Sequence, residues 1–142
     1  MLCTPDERLR TWIRVASGTW TSVHLESRSA VAGLCVVLWA RGHAATPTEL
    51  SDEAAHGYWG EVLDVGRALE QVFRPVAVNY LTMGNAVPHL HTVVLPRHLD
   101  DPAPGHPLPW DQLYLDAPTD EAIWHRHAAE LRAALPWPAQ TA

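Results

Sequence analysis

The stretch NAVPHLHTVVLPRH, residues 85–98, decides the fold. Its second half, LHTVVLP (90–96), is rich in β-branched residues and bounded by prolines, which predicts a strand. Side chains alternate faces along a strand. His89, His91, Val93 and Leu95 therefore share one face, and Leu90, Thr92 and Val94 share the other. The second set is apolar enough to pack on a helix. The two histidines thus project together from a rigid element, supported from behind.

Upstream, VAVNYLTM (76–83) predicts another strand, with a turn at Gly84 and Asn85. The connection is too short for a parallel crossover, so the two strands should pair as an antiparallel hairpin. Before them, Ser51 is placed to cap a long helix, with Asp52 and Glu53 in its first turn. Trp59, Val62, Gly66, Leu69 and Phe73 recur at helical spacing as its core face, and Pro75 ends it. GLCVVLW (33–39) is a compact apolar run and predicts a buried strand; TWTSVHL (19–25) alternates weakly and predicts another, with a turn over 26–33. TPDERLRTWIRVASG (4–18) predicts a first helix, capped by Thr4, with Pro5 in its first turn, Glu7 completing a capping box and Gly18 as its stop.

Beyond the hairpin, DDPAPGHPLPW (100–110) holds four prolines and can be neither helix nor central strand. It predicts an ordered arm or lid. A last helix is expected over about 119–135. Strands separated by one long helix give an α+β class with a mainly antiparallel sheet. The expected organisation is one domain over 1–142, with its core at about 19–99, the arm over 100–118 and the terminal helix after it.

Composition narrows the function. The chain has 142 residues and a formal charge of −6, and its ten basic residues are all arginine. They form no basic cluster, so a nucleic-acid partner is not expected. Cys3 and Cys35 are too few and too far apart for a disulfide framework or a zinc knuckle. No apolar run reaches the ~18 residues of a membrane span, and the N-terminus lacks a basic and then apolar leader pattern. A soluble cytoplasmic protein with no membrane partner is the expectation.

Neighbouring imidazoles can ligate a metal, can act as nucleophile and orienter, or can have no role at all. A bare His-x-His does not choose among these. The context around it does. GNAVPHLHTVVLPR resembles the signature of the histidine triad family of nucleotide hydrolases and transferases, through Gly84, Asn85, Val87, Pro88, His89, His91, Pro96 and Arg97. At the level of layout the resemblance runs from about residue 20 to 110. It implies a five-stranded antiparallel sheet with two main helices, joined across a twofold axis in a homodimer. It implies a partner that is a nucleotide or nucleotide conjugate, with no cofactor. It also implies a mechanism in which His91 attacks the α-phosphorus, a nucleotidyl-histidine forms and water releases the monophosphate. His89 would orient His91, and Asn85 and Asn79 would lie near phosphate oxygens and ribose.

The third position of the triad is Val93, which can donate nothing. Losing one aimed donor at a developing oxyanion costs about 10²–10³ in rate. His43, in the loop 40–50, is a candidate substitute. If Val93 lines the substrate pocket, Val93→His is expected to raise hydrolysis of a generic adenylyl substrate about ten- to a hundredfold. Three readings stay open at this point. One is a slowed or rearranged hydrolase or transferase, the second a repurposed or inactive nucleotide-binding module, and the third a metal protein using His89, His91 and His98. Among the remaining residues, Trp59 is expected in the core, and Arg97 is expected to pair with Asp100 or Asp101.

Overall fold

The computed structural model describes residues 12–114 and 120–138. Five strands, β1 (Trp12–Ser17), β2 (Thr21–Glu26), β3 (Cys35–Trp39), β4 (Ala77–Leu81) and β5 (His91–Arg97), form one sheet in the order β1-β2-β3-β5-β4. Every pairing is antiparallel. The β4–β5 hairpin runs from Ala77 opposite Arg97 to Leu81 opposite Val93. Two helices, α1 (Asp52–Phe73) and α2 (Glu121–Ala134), complete the expected α+β architecture. No described helix is long and apolar enough to cross a membrane.

Both helices cover one face of the sheet, where Leu90 and Val94 of the quoted stretch meet Tyr58, Val62, Leu69 and Trp124 in the main core. Ser51 caps α1 by accepting the Ala54 amide hydrogen at 3.3 Å. The helix stops where Arg74 turns left-handed (φ 48°), just before Pro75.

Two sequence expectations fail here. Trp12–Ser17 is a strand, not the end of a helix, while residues 4–11 of that predicted helix lie outside the described residues. The segment does not alternate cleanly: Arg14 is exposed, Val15 and Ala16 are both buried in the main core, and the register with β2 slips between Arg14 and Ala16. A six-residue run of this kind satisfies either period, and the pairing partner β2 decides it. Trp59 is also outside the core, at 36% exposure, because the buried stripe of α1 is rotated toward Tyr58, Val62, Val65 and Leu69. That rotation buries Glu61, whose carboxylate accepts hydrogen bonds from the Thr19 amide (2.6 Å), the Trp20 amide (3.1 Å) and the Thr21 hydroxyl (2.6 Å). A buried carboxylate is tolerated only with such donors. Gly18 leaves the room, since a Cβ there would strike the Glu61 carboxylate.

The opposite face of the sheet carries a second apolar cluster, formed by Val31, Leu34, Val36, Val93, Leu95 and Leu113. Leu113 comes from the proline-rich arm, whose backbone joins the 27–34 turn through the Ala30 amide and the Leu113 carbonyl at 2.7 Å. The arm is anchored at its root by Arg97, as expected, but by Asp101 rather than Asp100. The Arg97 guanidinium donates to both Asp101 carboxylate oxygens, to the Ala103 backbone carbonyl (2.8 Å) and to the Asn79 side-chain Oδ1 (2.9 Å). Arg97 and Asp101 are each 7% exposed. The Arg97 hydrogen bonds hold the Asp101 carboxyl down to about 2, well below its ordinary value of 3.8.

Asp101→Asn is therefore expected to lower the unfolding free energy by about 2 kcal/mol near neutral pH, because a buried guanidinium loses its countercharge. The folded-state pKa lies below the unfolded one. The stabilisation is thus complete above about pH 4 and is lost as pH falls through about 2. Urea denaturation of both proteins should show a gap that closes on acidification. A gap that stays constant down to pH 2 would mean that Asp101 does not act through its charge.

Candidate active site at the start of β5

The backbone places His91 at the first residue of β5, opposite Leu38 of β3, on the face away from the helices. Behind it, Thr92 points into the core and meets the Tyr58 hydroxyl at 2.7 Å and the Thr82 hydroxyl at 2.6 Å. This buried network pins the strand from below.

The His91 ring is half-buried, and its Nδ1 lies 2.7 Å from the His89 carbonyl oxygen. A carbonyl can only accept, so Nδ1 carries the proton and Nε2 carries the lone pair. The ring is thereby held in the tautomer in which Nε2 carries the lone pair. His89 orients His91 through this backbone carbonyl and not through its imidazole. The His89 ring is 7% exposed, and its Nε2–H donates to the Trp39 carbonyl at 2.8 Å, which ties the start of β5 to the end of β3.

His43 is exposed in the loop after β3, with its ring centroid 5.7 Å from that of His89. The loop is held by the Leu90 amide donating to the Ala44 carbonyl at 2.7 Å. Asn85 is exposed in the turn before His89. The structure thus assembles His91, His89 and His43 at one end of β5, with Asn85 in the adjoining turn. It sets the other two candidates apart. Asn79 sits opposite Leu95, toward the other end of β5, with its side-chain Oδ1 accepting from Arg97. Val93 follows His91 on the same face but is only 6% exposed, seated in the second apolar cluster beside Leu95 and Leu113. The metal alternative loses its ligand set, since among the described residues no three His, Cys, Asp or Glu are arranged to hold an ion.

Sequence reasoning missed what lies across the sheet. Leu38 pairs with His91 on one side and with Ser22 on the other. His24 lies one row along, opposite Val36 on β3 and Arg14 on β1. Ser22, His24 and His91 therefore share one face. The Ser22 hydroxyl and His24 Nε2 are 2.5 Å apart. The spacing of two residues in SVHL put them on one face of β2; which face, and beside what, needed the pairing.

Comparison with known proteins agrees with this architecture. A histidine triad protein from Sinorhizobium meliloti superposes with a TM-score of 0.81 at 23% identity, covering 93% of this chain and 96% of that one. One from Bradyrhizobium japonicum gives 0.80 at 21%, covering 93% and 97%. A hypothetical histidine triad nucleotide-binding protein from Sulfolobus tokodaii gives 0.66 at 13%, covering 87% and 83%. At such identities the likeness is one of fold. No curated protein sequence matches. The HIT domain model matches residues 19–100, more than half of the chain and the span that carries β2 through β5, and by that match the chain belongs to the HIT domain family.

Proposed function

We propose that this protein binds a nucleotide conjugate on the exposed sheet face and hydrolyses or transfers its nucleotidyl group through a covalent intermediate on His91. The observation that carries this reading is the Nδ1–H bond to the His89 carbonyl, which leaves the lone pair on Nε2. Nε2 attacks the α-phosphorus and the bond to the leaving group breaks. The ring then becomes cationic, and its Nδ1–H bond to the carbonyl strengthens as the charge develops. Water next displaces the imidazole from phosphorus and the nucleoside monophosphate leaves, so the two in-line steps share one barrier-lowering group.

His43 and Asn85, at the same end of β5, are the candidate donors to the phosphoryl oxygens. Asn79 serves the arm through Arg97. Family membership supports a nucleotide ligand, as does the fold shared with the Sulfolobus tokodaii nucleotide-binding protein. The test is to incubate the protein with adenylyl and guanylyl conjugates, quench, and look for released monophosphate and an acid-labile nucleotidyl adduct. A second reading, a nucleotide-binding module without efficient turnover, is favoured by one observation: Val93 puts an apolar wall next to the nucleophile. Tight binding with neither release nor adduct would decide for it. A cytoplasmic location belongs to the same proposal.

The same reading includes a homodimer. β4 is an edge strand, and Tyr80 and Met83 lie exposed at or beside it, at 42% and 46%. Trp59 and Leu63, at 36% and 45%, lie on the adjoining α1. Exposed apolar groups next to an open strand edge suit a second copy of the chain. Sedimentation should give twice the chain mass, and Leu63→Glu should shift it to one. A wild-type monomer at micromolar concentration would remove this part of the reading.

A further inference from the structure

Two features of the His91 face set the direction in which a substrate can lie. Along β5, the residue after His91 on this face, Val93, is buried in the apolar cluster that also takes Leu113 of the arm. Across the strands, the residues on this face, Leu38 and then Ser22 and His24, are only half-buried. Strands are spaced about 4.8 Å, so Ser22 lies roughly 10 Å from His91. In a nucleoside 5′-phosphate the sugar follows the phosphorus and the base lies beyond it. With phosphorus at His91, the sugar falls over Leu38 and the base over β2.

We propose that the Ser22–His24 pair determines substrate specificity by hydrogen-bonding the edge of the nucleobase. This rests on the reading of His91 as the phosphorus-binding end of the site. The pair is suited to the task. Whether the Ser22 hydroxyl donates to Nε2 or the ring donates to Ser22, the two groups together keep one donor and one acceptor for a ligand. Burial, helped by the Arg14 charge, pushes the His24 imidazole down to about 4, so it meets a ligand in its neutral form at ordinary pH. Trp12 forms the side wall. Its ring centroid is 5.9 Å from that of His24, and its indole N–H is fixed on the Glu26 carboxylate at 2.5 Å. An indole held in this way offers a flat surface to a heterocycle.

Calorimetric titration with AMP, GMP, CMP and UMP measures the preference directly. Release of p-nitrophenol from the corresponding 5′-monophosphate p-nitrophenyl esters then gives KM and kcat. Ser22→Ala and His24→Ala should each weaken the preferred base about three- to tenfold, bring it level with the others, and act on KM rather than kcat. His24→Gln, which keeps a donor and an acceptor, should retain part of the preference. An unchanged preference in both alanine variants overturns the proposal. So does equal weakening of all four nucleotides, and so does an Arg14→Gln loss that matches theirs, which would assign the subsite to an anion. A wild type that binds with a preference abolished by these variants, yet releases no nitrophenol, upholds the pair and removes the His91 chemistry. Release untouched by the variants does the reverse. A wild type that binds none of the four overturns both.

Discussion

His91→Ala is expected to reduce nucleotidyl release roughly a thousandfold or more, with complete loss of the acid-labile adduct. A covalent nucleophile has no partial substitute, and removal of one in well-studied enzymes costs up to about 10⁶ in kcat. The ring is half-buried at the head of β5, so its loss should leave the strand intact. The Thr92 network behind it and the β3–β5 pairing do not involve the imidazole. Folding can be checked by an unchanged thermal midpoint. A variant that keeps full activity would show that chemistry at this site does not pass through His91.

The second large effect is one of stability. On the sequence alone, Val93→His restores a donor and speeds hydrolysis. The structure reverses the expectation. Val93 is 6% exposed among Val36, Leu95 and Leu113, and the arm above it is fixed at its root by Arg97 and Asp101. An imidazole there is larger than the space, which costs about 1–3 kcal/mol. Its ring nitrogens also find no partners, which costs about 1–3 more. Val93→His should therefore lose about 2–6 kcal/mol of stability, measured by urea denaturation, with no gain in turnover. A stable variant with faster hydrolysis would mean that the arm opens and that residue 93 reaches the substrate.

Much of the site was legible because it is local. Alternation over residues 91–95 assigns both faces of β5 correctly: Thr92 and Val94 turn toward the helices, and His91 and Val93 turn away. The turn at Gly84, the Ser51 cap and the stop before Pro75 are set by backbone preferences of a few residues. The assignments that failed are those whose outcome depends on a distant partner. Trp12–Ser17 becomes a strand through β2. Glu61 turns inward, and Trp59 outward, because donors at residues 19–21 await the carboxylate some forty positions away.

The sequence by itself determined the hairpin, the place of His91 on it and the family, since a strand's period and a contiguous motif need no third dimension. Only the tertiary structure decided what surrounds His91. The His91 tautomer is fixed by a carbonyl within the motif, but its neighbours Leu38, Ser22 and His24 arrive through pairing with β3 and β2. Val93 is a missing donor in the sequence and a packed core residue in the fold, because Leu113 is twenty residues away along the chain and in the same apolar cluster in space. Burial is a property of the partner as much as of the residue, and sequence spacing carries no information about which partner that will be.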